Sequence, residues 1–427
     1  MAKPHSPAAT TAPPPPSRRW SSFQGWEYNG LRERLESILS RLDKNALVQH
    51  AELIKGQECV MSEPFSAGQF WICFEIILET VGEEDEMYLL ACEVNTMQFV
   101  RQRLPEIIVP QVYAYEGPGS ERVEQVGAVY MLLEGFYGNT LHDVVPDICN
   151  LPVPSQEHIM SQWTMVQAQL ATVTFPRIGS ICSITESGEA VIDRLSHGAA
   201  GGLDPQGPFS NTAEYFTAIG EATLQRANRH HDDRSLFAKL GALAFVDIVQ
   251  NTDLFQETSS QYPLNHMDLG MQNVLVDDEY NFLAVIDWEF AQTAPWQVNH
   301  FPMPFTILWP EKKIQSILDD PENRAYKYIS KHASARELYT QKFLETERKL
   351  CEEGRPLGGS FAEAVESPAS KIFARLTRLQ CVPEEDKVQV QEMVRLAFGF
   401  VGEEADQYLK SVERKLGESN GTAEKND

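Results

Sequence analysis

Between His266 and Asp287 the chain reads HMDLGMQNVLVDDEYNFLAVID, and this segment limits the possible folds more than any other. A polar loop with His266 and Asp268 runs into the apolar stretch Val274 to Val276. The polar run Asp277-Asp278-Glu279-Tyr280-Asn281 follows, then a second apolar stretch that ends at Asp287. Two short apolar runs around a polar turn predict a β-hairpin. Such a hairpin returns the chain so that Asp287 lies beside Asn273, with Asp268 in the loop ahead of them. Asn273 and Asp287 then offer two oxygen ligands to a hard cation such as Mg²⁺, which takes few protein oxygens and completes its shell with water or phosphate. Asp268 is left in the loop beside them as a candidate base. His266 belongs to the same catalytic loop, where bracing by hydrogen bonds is the expected part. Asp and Asn favour turns for backbone reasons alone. The assignment therefore rests on order, spacing and element type together: H-x-D-x-x-x-x-N, hairpin, then I-D-W-E.

The rest of the chain divides around this segment. Residues 1–24, rich in Pro, Ala and Ser, predict an unstructured tail, and the polar stretch 417–427 a second. Apolar spacing predicts helices over 30–49 and 84–104. Between them, Phe70 to Leu78 alternates as one strand. Val129 to Leu141 reads as a buried strand entering a Gly-bearing connector. From about Ser155 helices dominate, over 155–172, 211–230, 233–252, 311–330, 333–353, 360–379 and 384–414, with the 274–286 hairpin as the one interruption. The expected fold class is α+β, a small β-rich lobe over 25–134 and a large, mainly helical lobe over 135–416.

Charge excludes some partners. Asp and Glu outnumber Lys and Arg by 61 to 36, a net charge of −25. A field of that sign repels nucleic acid and anionic membrane and attracts cations. The seven cysteines are scattered without a CxxC pair, so neither a disulfide framework nor a zinc site is expected. The N-terminus lacks the apolar stretch of a signal peptide, and no run of ~18 apolar residues occurs. A cytoplasmic protein is expected.

The stretch PLNHMDLGMQNVLVDD and the later AVIDWEFAQTAPW resemble the catalytic core of fungal members of the aminoglycoside phosphotransferase family. SEPFSAGQFWICFEI, CEVNTMQFVRQR, VPQVYAYE, GAVYMLLEGFYGNTL, FPRIGSI and GPFSNTAEYF agree, so the likeness covers about residues 45 to 310. The resemblance implies a two-lobed, protein-kinase-like fold and an enzyme that uses ATP with Mg²⁺ to phosphorylate a hydroxyl of a small molecule. It also implies roles at matching positions. Asp268 resembles the catalytic base, and Asn273 and Asp287 the metal ligands. Glu93 resembles the partner of the phosphate-binding cation. Leu132, Leu133, Glu134 and Gly135 resemble the hinge that meets adenine, and Gly68 the loop covering the phosphates. An acidic cleft would suit a cationic acceptor.

One departure bears on activity. The family places a Lys or Arg between the phosphate-covering loop and the helix bearing the paired Glu, and none occurs from Gly68 to Glu93. Lys55 and Arg101 are the nearest basic residues on either side. The connection from Cys73 to Glu84 is short enough that the third strand of the small lobe is expected to be missing. A pseudokinase, binding ligands with little or no transfer, is the alternative reading. An Fe(II) triad of His266, Asp268 and His300 would need a many-stranded barrel, which the helical second half does not offer.

Overall fold

The computed structural model describes residues 36, 39–56, 59, 61, 66–67, 71–73, 77–79, 83–136, 138–196, 207–229, 235–256, 260–303 and 305–423. Gly68 and the tail expected over 1–24 lie outside them.

Helix α1 (Lys44–Lys55) starts where the Asp43 carboxylate accepts from the amides of Asn45 and Ala46, and stops at Gly56, whose φ of 67° suits a residue without a Cβ. Strands β1 (Ser66–Ala67), β2 (Trp71–Cys73) and β3 (Ile77–Glu79) form an antiparallel sheet in that order. Helix α2 (Glu83–Arg103) follows, then β4 (Val112–Glu116), α3 (Glu121–Val126) and β5 (Tyr130–Leu133). Strand β4 pairs antiparallel with β5, and β3 lies against β5.

The alternating stretch from Phe70 to Leu78 is thus two strands, not one, with Ile72 paired to Leu78 and Cys73 to Ile77. The expectation of a missing third strand is corrected: β3 precedes α2. The sequence between Cys73 and Ile77 holds no Gly, Pro, Asn or Asp, so the usual turn signals are silent between β2 and β3.

The second part is mainly helical. Strand β6 (Asn139–Thr140) and α4 (Leu141–Val144) lead to α5 (Val153–Ala171), β7 (Thr174–Phe175), β8 (Ser180–Ile184), β9 (Ala190–Asp193), α6 (Thr212–Asn228) and α7 (Leu236–Asn251). Then come β10 (Tyr262–Asn265), β11 (Val274–Val276), β12 (Phe282–Val285) and β13 (Gln292–Thr293), followed by α8 (Glu311–Leu318), α9 (Tyr326–Glu352), α10 (Phe361–Glu366), α11 (Pro368–Leu376), α12 (Asp386–Phe398) and α13 (Glu403–Ala423). The α13 backbone continues past Gly417.

Three long helical stretches are broken for local reasons. Pro321 disfavours helix in the residue before it and separates α8 from α9. Ser367 caps α11 by accepting from the Ser370 amide at 3.1 Å, with Pro368 at the first helical position. Gly399 and Gly402, at φ 75° and 56°, end α12 and redirect the chain into α13. The 274–286 hairpin is also not the sole β-structure after Ser155. Strands β8 and β9 form a second hairpin, and β10 pairs with both β7 and β13.

A large buried cluster joins the end of α2, α5, the 274–285 hairpin and α9, with Trp163, Phe305, Tyr339 and Phe343 at its centre. A second unites α6, α7, α11 and α12 around Phe216, Phe245, Phe255 and Phe373. Smaller clusters hold α1 to β5 and α2 to β5. The site described next is carried by loops anchored on the first cluster. Among the described residues, no helix is long and apolar enough to cross a membrane.

Candidate functional site

Strand β10 delivers the chain to the 266–270 loop, and a 3-10 turn at Met271–Asn273 hands it to β11. The hairpin registers Val274 with Val285 and Leu275 with Ala284. The Ile286 amide donates to the Asn273 carbonyl at 3.0 Å. This bond closes the hairpin base and brings the residue before Asp287 against Asn273. The turn is fixed by Asp277, whose carboxylate accepts from the amides of Glu279 and Asn281 at 3.0 and 2.8 Å.

Within the loop, the Asn273 side-chain amide donates to the Asp268 carbonyl at 2.8 Å and to its Oδ2 at 2.9 Å. Gln272 Nε2 lies 3.3 Å from both carboxylate oxygens. Asn273 thereby commits its NH₂ group to Asp268, so its amide oxygen is the atom left to face a cation. The loop is pinned from below: the Asn265 side chain accepts from the Met267 amide at 2.8 Å and donates to Asn299 Oδ1 at 2.8 Å. Met267 and Asp287 have φ of 65° and 64°, a left-handed conformation that costs most non-glycine residues energy but is tolerated best by Asn and Asp.

His266 is 1% exposed. Its Nε2 donates to the Ile286 carbonyl at 3.1 Å, and its ring centroid lies 4.6 Å from that of Trp288. Burial lowers its pKa to about 4, so the ring is neutral. It ties the loop before Asp268 to the strand end before Asp287.

Electrostatically the site is a cluster of acids. Burial raises the Asp268 pKa, opposed by the hydrogen bonds from Gln272 and Asn273. Burial and the Asp268 charge push Asp287 up to about 7. Burial, Asp287 and then Asp268 push Glu289 up to about 8. Among the described residues none of the three forms a salt bridge, and Asp287 Oδ1 and Glu289 Oε2 are buried without a hydrogen-bond partner. Mutually repelling carboxylates with spare oxygen lone pairs fit a divalent cation. Glu289 is the site residue that sequence reasoning missed. Its signal was present in the I-D-W-E run, where a second acid follows Asp287 by two positions.

The remaining expected residues surround this cluster or stand apart from it. Glu93, buried on α2, accepts from the Trp288 amide at 3.2 Å, so it holds the backbone right after Asp287. Leu132 and Leu133 end β5. The Glu134 amide donates to the Gln111 carbonyl at 2.8 Å, and its carboxylate accepts from the Gln111 amide and from Arg101, at 3.0 and 3.2 Å. A Cβ on Gly135 would meet nothing within 4 Å, so open space lies beside it. Arg101 also donates to the Val109 carbonyl at 2.6 Å. The Lys55 ammonium sits 3.4 Å from the Tyr113 ring centroid. Each basic residue flanking the Gly68–Glu93 gap is thus engaged away from the acids.

The model of the family described as "Phosphotransferase enzyme family" matches residues 85–298, half of the chain. No curated protein matches the sequence. Among solved structures, an apo crystal structure of a thermostable mutant of the aminoglycoside phosphotransferase APH(4)-Ia is 14% identical at a TM-score of 0.39, over 85% of this chain and 98% of that one. A macrolide 2'-phosphotransferase type I is 12% identical at 0.36, over 86% and 97%.

Proposed function

The chain belongs to the phosphotransferase enzyme family, and from that premise we propose that it transfers a phosphoryl group from ATP, with Mg²⁺, to a hydroxyl of a small molecule. The observation that carries the reading is the hydrogen-bonded set of Asp268 and Asn273 with Asp287 at the hairpin end beside it.

In this reading Asp268 orients the acceptor hydroxyl and takes its proton. Burial raises its basicity, and the Asn273 amide fixes its rotamer. The Asn273 amide oxygen and the Asp287 carboxylate would hold the cation, with Glu289 adding charge behind them. A bound Mg²⁺ supplies charge that bridges phosphate oxygens and offsets what develops on them. Glu93 acts through the Trp288 amide to keep the Asp287 loop in place, and β5 with Leu132 to Gly135 provides the nucleotide hinge.

The second reading is a binding module with little or no transfer activity. It is favoured by the engagement of Lys55 and Arg101 elsewhere and by the lack of Lys or Arg from Gly68 to Glu93. Positioned donors and cations lower a transition-state barrier by on the order of 3 kcal/mol each, which a chain without them forgoes.

Nucleotide-dependent thermal stabilisation, with and without Mg²⁺, together with transfer of phosphate from labelled ATP to a panel of hydroxyl compounds, separates these readings. Asp268→Asn should lower kcat by about 10²–10⁴-fold, as expected for loss of a general base, and leave the nucleotide-induced shift intact. Full activity in that variant rules out the base. A Mg²⁺-dependent shift without transfer by the wild type selects the binding module, and no shift with any nucleotide removes both.

A further inference from the structure

A second cluster of chemically capable side chains lies away from the loop described above. The chain leaving α4 makes a 3-10 turn at Ile148–Asn150 that packs on α9. There Asp147, Cys149 and His332 come together, each with one donor atom within 4.8 Å of the other two. Cys149 Sγ is 3.7 Å from His332 Nδ1, and His332 Nε2 is 3.8 Å from Asp147 Oδ2. Cys149 is 4% and His332 2% exposed, whereas the Asp147 side chain is 26% exposed and faces solvent on one side.

We propose that Asp147, Cys149 and His332 form a binding site for a borderline-soft divalent cation of the zinc type. Tetrahedral zinc, with Zn–S about 2.3 Å and Zn–N about 2.0–2.1 Å, sets sulfur and nitrogen about 3.6 Å apart. The observed 3.7 Å is close to that. One ring nitrogen binds the ion, Nδ1 on the sulfur side, so the Asp147 carboxylate must leave its 3.8 Å contact with Nε2 and turn toward the ion by side-chain adjustment, and the fourth position stays open to water. Thiolate, imidazole and carboxylate together select zinc over the harder magnesium or calcium, which favour oxygen alone.

The site is pre-arranged by its own backbone. Asp147 caps the turn, accepting from the Cys149 amide at 2.9 Å and from the Asn150 side chain at 2.6 Å, which orients its carboxylate as a second shell would. The His332 ring packs against Tyr328, tilted by 40° at a centroid distance of 4.1 Å. Location gives the ion a consequence. Just before α4, β6 pairs with β11, Thr140 opposite Leu275, and α4 packs on the Met271–Asn273 turn. An ion there ties α9 to the segment that supports Asn273.

The test is cobalt substitution with the full chain. Metal-free protein is titrated with Co²⁺ alone, and the thiolate-to-cobalt charge-transfer band is followed by absorption. The expected result is one ion per chain with that band, displaced by Zn²⁺ and accompanied by proton release because the thiol must ionise. Cys149→Ser and His332→Gln should lose the band, while Asp287→Asn, in the other acidic cluster, should keep it. Two ligand variants guard against a single substitution that fails to fold, which thermal denaturation of each would reveal. A wild-type titration without a thiolate band overturns the proposal. So does a band that persists in folded Cys149→Ser or His332→Gln, since it would then come from another cysteine, such as the exposed Cys351 or Cys381.

Discussion

His266 reports on the site through acid. Its ring gives the Nε2 proton to the Ile286 carbonyl and stays neutral, with its pKa lowered from 6.5 to about 4 by burial. A depressed histidine contributes stability that is fully present above pH 6.5 and lost as the pH falls towards 4, because the unfolded chain binds the proton first. The shift corresponds to on the order of 3 kcal/mol. His266→Phe keeps a ring against Trp288 but leaves the carbonyl without a donor, costing about 1–3 kcal/mol at pH 7. Urea unfolding at pH 7, 5 and 4 should then show the gap between wild type and variant closing as the pH drops. Parallel curves would mean that the folded His266 takes up its proton as readily as the unfolded chain does. Asp287 has the opposite sign. Its raised pKa of about 7 means that in chelator the metal-free protein loses stability as the pH rises from 3.8 through 7. Asp287→Asn tolerates the same positive φ and removes the repelling charge. It should stabilise the metal-free protein by on the order of 1–3 kcal/mol at pH 8, by less at pH 5, and by nothing well below pH 3.8, where the folded and unfolded carboxyls are both protonated. It should also abolish any Mg²⁺-dependent shift in Tm.

Among the elements, the pairing of β6 with β11 positions the hairpin against the rest of the fold. Gly138 enters β6 so close to β11 that a Cβ there would meet the Val276 carbonyl oxygen at 2.5 Å and the Leu283 side chain at 2.7 Å. Gly138→Ala should therefore wedge the strands apart, costing about 1–3 kcal/mol. Because β11 begins at the residue after Asn273, kcat should fall by more than the loss of folded protein explains. Denaturant midpoints measured beside kcat check this, and an unchanged kcat per folded molecule would uncouple β6 from the loop. The same elements show what a sequence can and cannot announce. The 274–286 hairpin was legible because its turn, Asp277 to Asn281, is polar and its apolar runs are short. The β2–β3 pairing was not, since the sequence between Cys73 and Ile77 holds no Gly, Pro, Asn or Asp. The β8–β9 hairpin was passed over among helices, although Gly188 at φ 81° marks its turn. Glu289 was visible as a residue but not as a buried charge, because burial is a property of the packed chain. Asp147, Cys149 and His332 meet across a span that no local spacing records; only the docking of α9 on the 148–150 turn assembles them.

At the scale of the whole molecule the net charge of −25 acts on every ligand before any contact forms. In the proposed reading ATP would approach a chain of its own sign and meet Asp268, Asp287 and Glu289, with Lys55 and Arg101 engaged elsewhere. Salt shortens the reach of that repulsion, from about 30 Å at 0.01 M to about 10 Å at 0.1 M. With Mg²⁺ saturating, the KM for nucleotide should fall by about two- to fivefold across that range of ionic strength. A cationic acceptor is attracted by the same field, so its KM should rise over the same range, and that of a neutral hydroxyl compound should stay level. Steady-state kinetics with one cationic and one neutral acceptor measures all three slopes in a single series. A nucleotide KM that rises with salt would carry the signature of a basic group at the phosphates. That group would then have to come from residues outside those described here, and the binding-module reading would lose the observation that favours it.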